Sequence, residues 1–237
     1  MTDIAVRRLT GFAGILAAVL GVVLVPLYFT YSGPPPAWNV LTRNLINMIA
    51  AVAILVFLLG LAHLVHRAGA RYDWFASLIS GAGLLYVAVT LVAISLETGV
   101  VLETPDGTVD PTVDGPVAHA NMLLHGSIAR LLTAVTLFSA GAAIVRSGIL
   151  PRWIGRGAYV VAVINLAFVP AMFFGDDAAD FYSAVGWGTA ATAATLLLYW
   201  ALAAGIAALR RPRYMEAVES GVPTTGRLER DEQRVGI

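Results

Sequence analysis

The strongest candidate for a functional residue in this sequence is an arginine inside a strongly apolar stretch. Arg130 follows His125 in the stretch HGSIARLLTAV, which otherwise has the composition of a lipid-buried helix. A charged side chain at the centre of a bilayer costs about 2.5–3.5 kcal/mol on insertion scales, so it is expected to face protein, a wet cavity or a ligand. On a helix Arg130 aligns with Ser127 and Thr133. We predict either a structural ion pair or a contact to a ligand.

Arg43 is the second arginine beside an apolar segment. About 36 Å of helix separates it from Arg67, given a rise of 1.5 Å per residue. We therefore expect Arg43 at the outer membrane interface, with its head group reaching water. Asn47 lies one turn further along the same segment. Glu97, at the outer end of the third apolar segment, is the predicted partner of either Arg43 or Arg130.

These polar side chains predict a pocket that opens to the outer side of the membrane, lined by spans 2, 4 and 5. Arg130 would be its main contact, with Arg43, Asn47, His125 and Glu97 beside it. Guanidinium groups bind carboxylate and phosphate oxygens, so the ligand would be a small or lipid-like anion. The alternative is a set of hydrogen bonds between packed helices with one ion pair.

Other kinds of site are disfavoured by composition. The chain has no Cys, which excludes disulfides and thiolate chemistry, and no Lys, which excludes a lysine Schiff base. His63 and His66 fall at the opposite end of their segment from the level of His125, so we predict no metal site and no cofactor. The net charge of zero gives no indication of a nucleic-acid partner.

The elements that must position these residues are transmembrane helices. Hydrophobic residues make up 58% of the 237-residue chain and charged residues 13%, against about 25% charged residues in a soluble domain. About 20 apolar residues are needed to cross a bilayer as a helix. The sequence predicts an all-α bundle of six transmembrane helices. The predicted spans are residues 9–30, 45–65, 76–96, 123–145, 154–174 and 185–209.

The arginines outside the spans predict the orientation. Apart from Arg43 at the outer interface, they all fall on one side, whereas the loops of the opposite side carry Asp and Glu. Because cytoplasmic loops are enriched in positive charge, both termini are predicted to be cytoplasmic. Residues 97–120 are predicted to be an external acidic loop with a small hairpin, from two Asp-Gly turn signals. Residues 210–237 are predicted to be a disordered cytoplasmic tail.

One short motif carries a resemblance to known proteins. Residues 150–155, LPRWIG, and the small residues of 139–143 before them resemble the cytoplasmic turn of a family of bacterial integral membrane proteins with about six spans, of the domain-of-unknown-function type, common in actinobacteria. The resemblance implies a six-span fold in a bacterial plasma membrane. It implies no active-site residue.

Three functions are compatible with these patterns. The first is a non-enzymatic protein that binds or transports an anion from the outer side, with membrane lipid around it. The second is a structural or interaction subunit that associates with copies of itself or with a membrane partner through its small-residue helix faces and its cytoplasmic tail. The third is a membrane enzyme acting on lipid, with His125 or Glu97 as base. We consider an enzyme less favoured.

Overall fold

The computed structural model describes residues 3–31, 33–104, 108–177 and 179–210. The residues in these ranges form helices and no strand. The α-helices are α1 (Asp3–Tyr28), α2 (Ala37–Arg67), α3 (Asp73–Glu103), α4 (Gly115–Leu123), α5 (Ala129–Ser147), α6 (Arg152–Ala167) and α7 (Ala193–Arg210). Two 3-10 helices cover Ala70–Tyr72 and Val169–Phe173, and two π-helical turns cover Leu124–Ile128 and Gly188–Thr192.

Six helical segments are long and apolar enough to cross a membrane, which confirms the predicted six-span all-α bundle. The fourth span, Gly115–Ser147, comprises α4, a π-helical turn with a kink at Gly126, and α5. The fifth span, Arg152–Phe173, adds a 3-10 turn to α6. The sixth, Gly188–Arg210, begins with the second π-helical turn. The chain is therefore a multi-pass membrane protein.

The spans form a closed ring. Helix α1 packs against α2 and α7, and α3, α5 and α6 complete the circle in chain order. The least extensive contact between ring neighbours is that of α6 with α7. Consecutive spans run in opposite directions because short connections join them.

The two ends of the bundle differ in charge. At one end, Arg7 donates a hydrogen bond to the carbonyl of Ile149 at 3.2 Å and the Tyr72 hydroxyl donates to the carbonyl of Arg146 at 3.0 Å. We call this end the basic face. The opposite end, with the connections at 29–36, 104–114 and 174–187, is called the acidic face. Its charged residues in the part of the chain that the structure describes, histidine aside, are all acidic: Glu103, Asp110, Asp114, Asp176, Asp177 and Asp180.

The half of the bundle toward the basic face is filled by apolar side chains. Phe57 and Trp200 meet edge to face, with ring centroids 5.7 Å apart, and the Trp200 indole donates to the carbonyl of Ile154 at 3.0 Å. Gly14 brings α1 close to α7, because a Cβ at this position would stand 2.8 Å from the carbonyl oxygen of Ala201. The small-residue face of α7 is therefore used within the chain.

The acidic loop between spans 3 and 4 is shorter than predicted. Helix α3 continues to Glu103, and α4 begins at Gly115, so the connection is 104–114 rather than 97–120. No hairpin strand lies in its described part, and the Asp106-Gly107 signal lies outside the described residues. Helix α3 extends because the residues after Glu97 are mainly apolar and Glu97 pairs with another helix. Of the predicted tail, only Arg210 is described, and it ends α7.

Candidate functional site

Buried polar side chains are concentrated in the half of the bundle toward the acidic face, in two clusters. The Arg43 cluster lies between α1, α2 and α3. It comprises the buried Asn39, Arg43, Asn44 and Glu97, the partly buried Thr98, and Tyr28, which is 38% exposed. The Arg130 cluster lies between the fourth, fifth and sixth spans. It comprises Asn121, His125, Ser127, Arg130, Thr133 and Asn165.

Arg43 is neutralised within the protein. Its Nη2 donates to Glu97 Oε1 in an ion pair whose two side chains are almost completely buried. The Tyr28 ring covers the guanidinium at 4.4 Å from its centroid, which adds a cation–π contact. The prediction that Arg43 reaches water is therefore wrong, since only 2% of the residue is exposed. The cause is the carboxylate on α3, which offers a partner inside the bundle.

Two asparagines extend the Arg43 cluster to neighbouring helices. Asn44 Nδ2 donates to the Thr98 hydroxyl at 3.0 Å, and Asn39 Nδ2 donates to the carbonyl of Leu27 at 3.3 Å. These bonds fasten α2 to α3 and to the end of α1. The arrangement is that of a packing network around one ion pair.

Arg130 is equally buried and has no such partner. Its Nη2 donates to the backbone carbonyl of His125 at 2.8 Å, and its Nη1 donates to Asn165 Oδ1 at 3.3 Å. Both acceptors are neutral. Within the described ranges, no carboxylate lies at ion-pair distance from this guanidinium, although only 2% of the residue is exposed. A full positive charge therefore remains uncompensated inside the bundle.

A π-helical turn makes the contact with His125 possible. In a regular α-helix, side chains five residues apart differ by about 140° in direction. Here the helix is kinked within Leu124–Ile128, where Gly126 adopts φ −84° and ψ −115°, outside the helical region. The carbonyl of His125 is thereby turned toward the Arg130 side chain. Single π-helical turns of this kind often occur at functional sites.

Four buried polar atoms along this helix lack a hydrogen-bond partner among the described residues. They are His125 Nε2, Ser127 Oγ, Arg130 Nε and Thr133 Oγ1. Thr136, on the same helix, behaves in the usual way and donates back to the carbonyl of Leu132 at 2.8 Å. The Ser127 and Thr133 hydroxyls make no such bond. Buried polar groups require a partner, so this strip is suited to water or a polar ligand.

The side chain of His125 is held in a defined orientation. Its Nδ1 donates to Asn121 Oδ1 at 3.0 Å, one turn earlier on the helix. In neutral imidazole the other nitrogen, Nε2, is then an acceptor. The strip therefore offers donors from Arg130, Ser127 and Thr133 and one acceptor from His125.

A cleft opens on the acidic face beside this helix. Its volume is about 400 Å³, and it is lined by His119, Met122, Leu123, Met172, Gly175, Asp176, Ala184 and Val185. At its rim, His119 Nε2 lies 3.1 Å from Asp176 Oδ2. A Cβ on Gly126 would stand 3.2 Å from the carbonyl oxygen of Ala184, so the wall of the cleft touches the π-helical turn. The cleft and the Arg130 cluster are therefore neighbours.

The predicted pocket is divided by the structure. Arg130 and His125 belong to one cluster, and Arg43 and Glu97 belong to the other. Asn47 is half-buried on α2, and its side chain takes part in neither cluster as far as the described residues extend. The sequence did not indicate that Tyr28 contacts Arg43, and it did not indicate a partner for Asn165. The only sequence signal for Asn165 was its polar side chain in an apolar span.

The histidines of the basic face lie far along the bundle from this site. His66 Nδ1 is 2.7 Å from Asp73 Oδ1, and His63 Nε2 is 4.0 Å from Asp3 Oδ1, all with exposed or half-exposed side chains. In the described part of the chain, no group of three or more His, Cys, Asp or Glu side chains is arranged to hold a metal ion.

Comparisons with known proteins give no guide to this site. No protein-family model matches the chain, and no curated protein and no solved structure matches it either.

Proposed function

We propose that this protein binds, and moves, a small or lipid-like anion at Arg130 in a bacterial plasma membrane. The observation that carries the proposal is the buried guanidinium of Arg130, which has neutral hydrogen-bond acceptors and no carboxylate within the described residues. An unpaired buried charge destabilises a fold, so its presence is best explained by a counter-charge that arrives with a ligand.

The contrast between the two arginines supports this proposal. Both lie at the same end of the bundle and are buried to the same extent. Arg43 has the Glu97 carboxylate and an aromatic ring, whereas Arg130 has only neutral acceptors among the described residues. Buried polar atoms without a partner occur in both clusters, and in the Arg43 cluster they are Asn39 Oδ1, Arg43 Nε and Asn44 Oδ1. If both arginines served only to pack the helices together, each would be expected to have a carboxylate partner. The Arg43 cluster therefore serves as the structural support, and the Arg130 cluster as the binding site.

The direction of binding follows from the charges of the two faces. We propose that the basic face is cytoplasmic, because cytoplasmic loops are enriched in arginine. The acidic face, with the cleft and the Arg130 cluster, would then be the outer side, and both termini would be cytoplasmic.

Native mass spectrometry of the protein in mild detergent tests the proposal. We expect the wild type to carry a defined additional mass that Arg130→Gln lacks. Arg152→Gln is the matched control, since it removes a charge from an exposed arginine of the basic face, and it should retain the mass. The proposal would be contradicted if neither the wild type nor Arg130→Gln carries an additional mass, and if neither gains one when sulfate or carboxylates are added.

A second candidate function is association with another membrane protein or a second copy. A groove of about 530 Å³ lies between α2 and α3 and is lined by Leu59, Ala62, His63, His66, Asp73, Ala76, Ser77 and Ser80. Ser77 is exposed, and the exposed Gly81 has open space where a Cβ would stand. Small residues on a lipid-facing groove favour close helix packing. Gly81→Leu should reduce the particle mass in detergent if this surface holds a partner.

A further inference from the structure

We infer that Asn165 is a specificity-determining residue of the Arg130 cluster. Its neutral amide positions the guanidinium without neutralising it, so the counter-charge has to come from the ligand. This inference rests on the proposed function, because it assigns a role to a residue of the same site. Asn165 lies on α6, and 0% of the residue is exposed. Every polar contact of its side chain is therefore made inside the bundle.

The amide of Asn165 links the fifth span to the fourth and to the sixth. Its Oδ1 accepts from Arg130 Nη1 at 3.3 Å, and its Nδ2 donates to the carbonyl of Val161, one turn earlier on α6, at 2.9 Å. The same nitrogen donates to the carbonyl of Ala193, the first residue of α7, at 3.5 Å. This bond crosses the α6–α7 side of the ring, where neighbouring helices make their least extensive contact. Arg130 is thereby positioned against two other spans.

The orientation of this amide is determined by its surroundings. The oxygen and the nitrogen of an Asn side chain have nearly the same shape, so the hydrogen-bond network decides which way the amide points. The Arg130 guanidinium has only donors, and the carbonyls of Val161 and Ala193 are only acceptors. A reversed amide would place donor against donor and oxygen against oxygen. The oxygen of Asn165 therefore faces the guanidinium.

The same two carbonyls disfavour a carboxylate at this position. A carboxylate would place one oxygen at Arg130 and the other against the carbonyl oxygens of Val161 and Ala193, where it finds no donor. Arg43 has the contrasting arrangement, because the helix beside it supplies the carboxylate of Glu97. An amide thus occupies, beside Arg130, the place that a carboxylate occupies beside Arg43.

The neutral amide gives the site a preference for charge. Charge-assisted hydrogen bonds from a guanidinium to an anion are roughly twice as strong as bonds between neutral groups. Because Asn165 leaves the charge of Arg130 uncompensated, an anion should bind more tightly than a neutral molecule of the same shape. Asn165→Asp would supply the negative charge from within the protein and remove this preference.

Calorimetric titration of the protein in phosphatidylcholine nanodiscs tests the inference, with protein-free nanodiscs as the blank. The anions are acetate, octanoate and sulfate, and acetamide and octanamide are the neutral counterparts of the two carboxylates. We expect the wild type to bind a carboxylate at least about tenfold more tightly than its amide. Asn165→Asp should weaken the binding of every anion that the wild type binds by at least about tenfold, and the amide should then bind no more weakly than the carboxylate.

Two further variants separate the failure of this inference from the failure of the proposed function. Asn47→Asp is the matched control, because it makes the same change at a half-buried position of α2, and it should retain both affinity and preference. If Arg130→Gln abolishes anion binding and Asn165→Asp leaves it unchanged, the anion site exists and the inference about Asn165 is overturned. If no anion binds to the wild type, or if Arg130→Gln leaves binding unchanged, both proposals fall.

A second variant of the same residue covers the case in which Asn165→Asp does not fold. Asn165→Ala removes the acceptor of Arg130 Nη1 and adds no charge. Loss of one positioning hydrogen bond should weaken anion binding about threefold to tenfold. The preference for the carboxylate over its amide should remain, because the cluster is still positive. Anion binding as tight in Asn165→Ala as in the wild type would overturn the inference.

Discussion

Arg130 donates a hydrogen bond from Nη2 to the backbone carbonyl of His125, five residues earlier, at 2.8 Å. A regular α-helix does not offer this contact, because its carbonyls accept from backbone amides four residues later. Together with the bond from Nη1 to Asn165 Oδ1 on α6, this bond fixes the guanidinium and leaves Nε without a partner in the described part of the chain. The bundle therefore fixes the position of the charge without neutralising it.

The first prediction compares the two buried arginines. Arg43→Met removes one partner of a buried ion pair and leaves Glu97 uncompensated, so we expect it to lower the free energy of unfolding by about 3–5 kcal/mol. Arg130→Met removes a charge that has no counter-charge among the described residues, and we expect a change smaller than about 1 kcal/mol, since relief of the buried charge offsets the lost hydrogen bonds. Denaturant unfolding of both variants, without added ligand, measures the difference.

A double replacement provides the control for Arg43. Arg43→Met with Glu97→Leu removes both charges, so it should be less destabilising than either single change. A double variant that is as unstable as the sum of the singles would contradict the view that the pair acts as a unit. Equal losses for Arg43→Met and Arg130→Met would contradict the division into a supporting and a binding cluster.

The second prediction concerns the close approach of α1 and α7. Gly14→Ala places a Cβ 2.8 Å from the Ala201 carbonyl oxygen and 2.9 Å from Phe57 Cδ2, so the helices must separate. We expect a loss of about 1–3 kcal/mol from overpacking. Gly99→Ala in α3 is the matched control, because nothing lies within 4 Å of its Cβ position, and it should be neutral or stabilising. Thermal unfolding midpoints in detergent compare the two, and equal midpoints would refute the close contact.

The six spans were predictable from the sequence because they depend only on length and hydropathy, which a single chain displays directly. The helix ends were less predictable. Helix α3 extends to Glu103 and α2 begins at Ala37, since polar residues near the ends find partners inside the bundle rather than ending the helix.

Most residues of the site were predictable from the sequence, but their separation into two clusters was not. Sequence alone identified Arg130, His125, Arg43 and Glu97 as polar groups toward the outer side of the membrane. It left Glu97 between two arginines, because the choice depends on which helices are neighbours in the ring. The π-helical turn at Gly126 was not predictable, since a glycine in an apolar span has many packing roles.

The third prediction concerns orientation, and the chain is well suited to it because it contains no Cys. Asp180→Cys places a thiol on the acidic face, and Arg152→Cys places one on the basic face, both at exposed positions. A membrane-impermeant maleimide added to intact cells should label the first and not the second, because the acidic face is proposed to be outside. Both should be labelled after the cells are broken. Labelling of Arg152→Cys in intact cells would reverse the orientation and place the cleft on the cytoplasmic side.

The fourth prediction separates two threonines of α5 that are buried almost equally, at 2% exposed for Thr133 and 3% for Thr136. Thr136 donates to a backbone carbonyl, so Thr136→Val should lower the free energy of unfolding by about 1 kcal/mol with or without an anion. The Thr133 hydroxyl has no partner in the described residues, so Thr133→Val should be neutral or stabilising without ligand. With an added anion that binds at Arg130 the order changes, because ligand binding stabilises only a protein that binds it. Wild type and Thr136→Val should gain thermal stability, and Thr133→Val should gain less. Equal gains in all three would show that Thr133 contacts no bound anion.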